Sequence, residues 1–393
     1  MESEIMNLIK VCLSVVISLC YCYRIGKSVP PGTTRLLLFL PIICYYILVP
    51  LSFSSVHLSG TLGFFLAWLA NFKLLLLAFD KGPLSSDPLI SLSRFVALAC
   101  LPIKIQQNQP CPTYIVSSHS STKTGKTPPS DLLHGSKSSS FEADSCKQNL
   151  FSKGPNQGDG TTLLGYAIKG VALGVLVKIY DYSESIHPTI IMCMYCFHMY
   201  FMLEIILAVV AAVAKSMLGM ELEPQFKDPL RSTSLQDFWG RRWNLMVTSI
   251  LRPTVYQPTL KMATKVVGSK WAPLPAVFST FAVSGLMHEL ILFYLGRMEP
   301  TFRMTAFFLL HGICLTVEIA MKKNLTGRYR LPRFLSGSLT LAFVMVTSLS
   351  LFLPEFILRG IEAKAIEEYA ALGDLLQSLT SSFSGIFITN LRI

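Results

Sequence analysis

Eight long apolar runs set the first constraint on this chain. They are Met6–Tyr23, Leu36–Phe53, Leu62–Phe79, Leu163–Tyr180, Thr189–Val213, Leu274–Leu295, Met304–Ala320 and Gly337–Leu353. About 20 consecutive apolar residues in a helix cross the hydrocarbon core of a bilayer. A backbone in hydrocarbon must satisfy its own polar groups, so such runs fold as helices. The expected fold is all-α, a polytopic membrane bundle of about eight transmembrane helices. A shorter run, Leu89–Leu101, carries Arg94 and reads as interfacial or re-entrant. Hydrophobic residues are 51% of the chain and charged residues 15%, well under the roughly one quarter of a soluble domain.

The net charge of +11 does not point to nucleic acid. The basic residues lie in the connections between spans, which is the positive-inside pattern. Arg24 to Arg35 has three basic residues and no acid, so it is expected in the cytosol. Ser54 to Gly60 has no Asp, Glu, Lys or Arg, and "DYSESIHP" is acidic, so both are expected in the lumen. The connection holding "SLQDFWGRRWN" and the one reading "KKNLTGRYRLPR" are basic and cytosolic. The alternation closes with eight spans and both termini in the lumen. The first run is followed, not preceded, by basic residues, so it reads as a retained helix rather than a signal peptide. The endoplasmic reticulum is the expected membrane.

Residues 106–160 are rich in Ser, Lys, Thr, Gly and Pro. Such a composition buries too little surface to offset chain entropy, and reads as a disordered cytosolic linker. It separates an N-terminal membrane segment, 1–105, with three spans from a C-terminal one, 161–393, with about five. The segment after Pro354 reads as an amphipathic helix on the membrane surface. Seven of the ten cysteines fall inside spans, Cys193 and Cys196 among them. They read as small apolar residues, so no metal site is expected.

Ionisable groups inside spans are expensive and mark function by default. They are Lys73, Lys169, His198, Glu204, His288, Glu289, His311 and Glu318. Lys73 and Lys169 can snorkel to an interface. His198, Glu204, His311 and Glu318, taken singly, read as helix-to-helix hydrogen-bond partners. His288 lies past the middle of its span in "AVSGLMHELILFYLG", with Glu289 beside it. An imidazole there can take a proton from a hydroxyl, or it can be a buried structural group. Position alone leaves both open. Other motifs are absent. Leu292 stands where HExxH needs its second histidine, and there is no G-x-S-x-G and no GxxxxGK[ST].

In "SLQDFWGRRWN", Trp239 and Trp243 share a helical face at i, i+4, and Asp237 pairs with Arg241 at the same spacing. Interfacial anchoring accounts for the tryptophans. It leaves Asp237, Gly240 and Asn244 unexplained. Arg241, Arg242 and Arg252 can hold a phosphorylated ligand.

"ELEPQFKDPLRSTSLQDFWGRRWNLMVTSILRPTVY" followed by "VSGLMHELILFY" resembles the plant wax synthase family of the membrane-bound O-acyltransferase superfamily. "WLANFKLLLLAFDKGPLS" and "LPIKI" resemble it too, so the likeness covers nearly the whole chain outside the linker. The resemblance implies acyl transfer from acyl-CoA to a long-chain fatty alcohol, giving wax esters, with a sterol as the alternative acceptor. Acyl-CoA is then a co-substrate, and no cofactor is implied. The resemblance also implies that His288 is the catalytic histidine and Asn244 the asparagine of the W-N motif. Trp243, Arg241 and Arg242 become acyl-CoA-binding candidates, with Glu289, Asp237 and Trp239 in support. His288 then acts as general base, and Asn244 donates to the thioester carbonyl or orients the CoA arm. Association of the chain with copies of itself is compatible with the sequence. The rival classes are a lipid transporter, which the lack of an inverted repeat disfavours, and a non-catalytic membrane scaffold.

Overall fold

The computed structural model describes residues 2–103, 160–219, 222–324 and 331–390. Among them every regular element is helical. The expected linker lies outside the described residues except for Gly160, where a helix begins, and so does much of "KKNLTGRYRLPR". The chain divides into two compact units. One comprises Met1–Gln106 with Leu173–Ile393, and the other Gln107–Ala172. Of the second, the described part is the first portion of one helix.

Seven helices among the described residues are long and apolar enough to cross a membrane. The first two expected spans become α1 (Glu2–Ser28) and α2 (Thr33–Leu48). The third is one 23-residue rod, Val56–Ala78, made of α3 (Val56–Leu62), a π-helical stretch (Gly63–Ala70) and α4 (Asn71–Ala78). The run at Leu89–Leu101 is the short helix α5 (Leu92–Cys100), with Phe95, Leu98 and Ala99 buried. The fourth expected span is helical as α6 (Gly160–Ile179), with Lys169 and Lys178 along it, but is not one of the seven. The remaining spans are α7 (Pro188–Leu218), α10 (Pro273–Gly296), α11 (Arg303–Asn324) and the stretch Arg333–Leu358. Between α7 and α10 come α8 (Leu245–Leu251) and α9 (Gln257–Trp271). The last span is α12 (Arg333–Thr347), a π turn and α13 (Leu353–Leu358), and α14 (Ile361–Asn390) follows.

Lys73 corrects an expectation. It does not snorkel. It is fully buried, and its Nζ donates to the carbonyls of Leu98 at 2.6 Å and Leu101 at 2.7 Å. The Leu98 carbonyl lacks a helical donor because Pro102 stands four residues on, and the Leu101 carbonyl just past α5 also accepts from the Ile103 N–H at 2.8 Å, so the cation completes the end of the helix. Arg35 does similar work, donating to the carbonyls of Val29 and Leu77.

Among the described residues, α10 and α11 make the most extensive helix-to-helix contact. Two glycines permit it. A methyl at Gly285 would lie 3.1 Å from the Thr305 Cα, and one at Gly312 would lie 2.8 Å from the Phe281 Cβ. Small residues at a contact let membrane helices pack by van der Waals contact, which is most of what holds them together in lipid. Where α10 ends, Gly296 makes room for the Arg359 side chain, which forms a buried ion pair with Glu355 at 3.3 Å. Arg359 also donates to the carbonyls of Met298 and Glu299.

Helix α14 is tied to the third span through one carboxylate. Glu368 accepts from the Val56 N–H at 2.6 Å, the His57 N–H at 3.3 Å, the Ser55 hydroxyl at 2.8 Å and the His57 ring at 2.5 Å. It thereby caps the start of α3 from another helix. Burial pushes the Glu368 carboxyl up, but the hydrogen bonds from His57, Ser55 and the α3 backbone outweigh this and hold it below its ordinary value. A carboxyl so lowered stabilises the fold above the unfolded-state value, and that contribution is lost as pH falls through the lowered native value. Glu368→Gln is expected to cost about 1 kcal/mol at neutral pH, the scale of a helix cap. Thermal midpoints in detergent across a pH series check this. The gap to the parent protein should close in acid, and a gap that widens there would contradict the assignment.

Candidate active site

The polar segment "SLQDFWGRRWN" begins with a reciprocal cap, a capping box displaced by one residue. The Ser234 hydroxyl accepts from the Asp237 N–H at 3.1 Å, and the Asp237 carboxylate accepts from the Thr233 N–H at 3.3 Å. One turn later the helix widens into a π turn, Phe238–Arg242, closed by the Trp243 N–H on the Phe238 carbonyl at 2.9 Å. The widening changes the expected ion pair. A π turn aligns residues five apart, so Asp237 pairs with Arg242 at 2.7 Å rather than with Arg241. Arg242 also donates to the carbonyls of Lys227 and Asp228, at 3.2 Å each. Its guanidinium is therefore a strut between this segment and the preceding loop.

Arg241 and Arg252 are different. Both are exposed and make no hydrogen bond or ion pair with any described residue. They line an open cavity of about 790 Å³ together with Lys227, Arg242, Thr248 and Ser249. Glu223 and Asp237 line it as well, so its four cations outnumber two carboxylates and its wall is net positive.

Asn244 ends the segment in the left-handed conformation, φ 39° and ψ 67°, which asparagine tolerates better than most residues. Its side-chain oxygen accepts from the Val247 N–H at 3.3 Å and so starts α8. Its amide nitrogen makes no hydrogen bond to any described residue. The side chain thus caps with its oxygen and leaves its N–H₂ group a donor that no described residue uses.

The two tryptophans of the segment meet edge to face, 6.3 Å apart. Trp243 packs among Phe238, Tyr200 and Phe226, with ring centroids 5.3, 5.8 and 5.3 Å away. Trp239 is not a simple interfacial anchor. Its indole N–H donates to His311 Nδ1 at 3.1 Å, and His311 Nε2 lies 2.9 Å from the Thr347 hydroxyl. The accepting Nδ1 fixes the tautomer, so Nε2 carries the proton and donates to Thr347. Thr347 donates in turn to the Phe343 carbonyl at 2.8 Å. His311 thus serves as the helix-to-helix partner expected of it. His198 does so too, with Nε2 3.0 Å from the Tyr369 hydroxyl on α14. Glu318 accepts from the Leu235 and Gln236 N–H groups, at 2.9 and 3.3 Å.

His288 sits roughly 22 Å along α10 at 1.5 Å per residue. Its Nδ1 lies 2.7 Å from the Ser284 carbonyl. A carbonyl only accepts, so Nδ1 carries the proton and Nε2 keeps its lone pair. The ring is flanked by Phe308 at 4.2 Å and by Trp68 at 5.2 Å, the latter edge to face at 77°. Glu289 points elsewhere. Its Oε1 accepts from the Thr305 N–H at 3.1 Å and caps the start of α11. Its role here is to fix α11, and with it Phe308, beside the histidine.

The third span connects the two halves of this arrangement. Leu69 packs against Met246 and Ile250 of α8, the helix that Asn244 caps. The adjacent residue, Trp68, faces His288. A second route runs from Trp239 to Phe308, at 6.0 Å, and on to His288. In the sequence "WLANFK" carries only a likeness, and nothing there gives Trp68 a role. A tryptophan in an oily run is indistinguishable from packing until its neighbour is known.

Residues 222–310 match the family described as "Membrane bound O-acyl transferase family". That stretch contains both Asn244 and His288. The chain is 48% identical to "Acyl-CoA--sterol O-acyltransferase 1" of Arabidopsis thaliana, over 91% of this chain and 93% of the relative. It is 39% identical to "Long-chain-alcohol O-fatty-acyltransferase" of Simmondsia chinensis, over 96% and 97%. It is 40% identical to "Probable long-chain-alcohol O-fatty-acyltransferase 1" of Arabidopsis thaliana, over 97% and 100%.

Proposed function

This chain belongs to the membrane bound O-acyl transferase family, and from that premise we propose that it esterifies a lipid alcohol with the fatty acyl group of acyl-CoA. The observation that carries the reading is the 2.7 Å approach of His288 Nδ1 to the Ser284 carbonyl. With Nδ1–H committed to the Ser284 carbonyl, the free Nε2 lone pair is a general base ready to accept a hydroxyl proton.

The reaction balances without a cofactor. The alcohol oxygen attacks the thioester carbon as its proton passes to His288 Nε2. The carbonyl oxygen takes the negative charge, and the Asn244 amide N–H stabilises it. The C–S bond breaks, the CoA sulfur leaves, and His288 returns the proton to it. The ester and free CoA are the products. Arg241, Arg252 and Lys227 hold the CoA phosphates in the cavity they line, and Arg242, tied to Asp237, fixes its wall. Trp239 and Trp243 hold the segment in place.

Long-chain fatty alcohols are the first acceptor class, the one named for two of the relatives above. A sterol is the second reading, favoured by the higher identity to the sterol acyltransferase. Both acceptors are apolar with a single hydroxyl, so one base serves either. We assign the protein, a multi-pass membrane protein, to the endoplasmic reticulum, where acyl-CoA reaches the membrane from the cytosol.

The test is expression in cells lacking neutral-lipid acyltransferases, fed fatty alcohol, sterol or neither, with chromatography of the lipids. Wax ester in the first arm or sterol ester in the second assigns the acceptor. No ester in any arm, with the protein present in the membrane, would remove the proposal. Arg241→Ala and Arg252→Ala are each expected to raise KM for acyl-CoA about tenfold, the scale of one charge-assisted hydrogen bond, with kcat nearly unchanged. A rise in KM for the alcohol instead would take the phosphates away from this cavity.

A further inference from the structure

Trp68 is 1% exposed, and its indole N–H is buried with no hydrogen-bond partner among the described residues. Buried donors in folded proteins are almost always satisfied, and an exception asks for a reason. Trp239 shows that this fold can satisfy a half-buried indole, since His311 accepts its proton. At Trp68 no such acceptor is supplied. What the fold supplies is the His288 ring, with the two ring centroids 5.2 Å apart and their planes at 77°. The indole also sits in the π-helical stretch Gly63–Ala70. Such stretches interrupt the α-helical ladder at some cost and concentrate at functional sites. Gly63 permits this one to press against α10, because a methyl there would lie 2.8 Å from the Tyr294 ring.

We propose that the Trp68 indole N–H is a further catalytic group, donating to the thioester carbonyl oxygen as that oxygen takes on negative charge. The inference rests on the reading of His288 as general base. Indole is a donor only, so it calls for an acceptor, and beside His288 the substrate oxygens are the acceptors the reaction brings. Two substrate oxygens come within reach of the histidine. A donor on the attacking hydroxyl oxygen would occupy a lone pair that the attack requires. A donor on the carbonyl oxygen strengthens as charge builds there, which is what lowers a barrier. Asn244 and Trp68 then form a two-donor oxyanion site, one from the cytosolic segment and one from the third span. Leu69, next to Trp68, packs against Met246 and Ile250 of α8, the helix that Asn244 caps.

The test uses the full-length protein in lipid nanodiscs. Trp68→Phe keeps the ring and removes the donor. A second variant carries 3-benzothienylalanine at position 68 by nonsense suppression, replacing only the N–H with sulfur. Both are expected to lower kcat about 100-fold, the loss typical of one oxyanion donor, with KM for acyl-CoA and alcohol nearly unchanged. Unchanged kcat in the benzothienyl variant overturns the proposal, whether or not Trp68→Phe folds. So does a rise confined to KM for the alcohol, which would make Trp68 a wall of the acceptor pocket. His288→Ala runs alongside. Full activity there would overturn the general-base reading and this inference together. A dead His288→Ala with an unimpaired benzothienyl variant would overturn this inference alone.

Discussion

His288→Ala is expected to lower ester formation by about 10²- to 10⁴-fold, the range for loss of a positioned general base. The fold should survive. The ring makes one hydrogen bond, to its own helix at Ser284, and the α10–α11 contact runs through Gly285, Gly312 and Glu289 instead. Loss of activity should therefore come with an unchanged elution profile and little change in acyl-CoA binding. His288→Gln makes the test sharper, because it fills the space and offers hydrogen bonds but no base. Radiolabelled acyl-CoA with purified protein gives the rates. A Gln variant that retains parental kcat would rule out proton abstraction at this position.

Glu355→Ala should have the largest effect on stability. The pair it breaks has side-chain exposures of 0% and 1%. Removing one partner strands the other charge, which costs about 3–5 kcal/mol, whereas replacing both with apolar groups is often neutral. Arg359 would keep only the carbonyls of Met298 and Glu299. Thermal size-exclusion in detergent should show the midpoint fall steeply for Glu355→Ala and recover in Glu355→Leu with Arg359→Met. If the single variant melts with the parent, the guanidinium is hydrated and the pair is not a structural element.

Much of the fold was legible because lipid imposes a simple rule. Twenty apolar residues make a span, and helices answer each expected run. The parts that were not legible depend on partners distant in sequence. Lys73 looked like a residue that reaches for water, because its own neighbours are leucines. Its acceptors are the end of a helix 25 residues away. Asp237 and Arg241 fit an α-helical spacing, and a π turn moved the pair to Arg242. Spacing alone cannot announce that change of pitch. Glu289 stands beside the candidate base and is expected in its support, and adjacent residues on a helix point about 100° apart. Its carboxylate meets the Thr305 N–H at the start of α11, a partner its sequence neighbours do not reveal. Asn244 and His288 stand out in the sequence through likeness and chemistry together. The third span stayed invisible as their connection because nothing in an apolar run says which neighbour it meets.

The π stretch in that span is also a phase setter. Upstream of it, Ser55 to His57 are fastened to Glu368 on α14. Downstream, Lys73 is fastened to the end of α5, and the Leu77 carbonyl to Arg35. Each half of the rod thus has its own azimuth, fixed by different partners. The π stretch absorbs the angular mismatch between them. Deleting a single residue there would turn one half against the other by about 100°. Lys73 and Glu368 could then not both keep their partners, and Trp68, lying between them, would swing away from His288. The span works as a clutch plate as much as a membrane anchor: its geometry matters by rotation, not by depth.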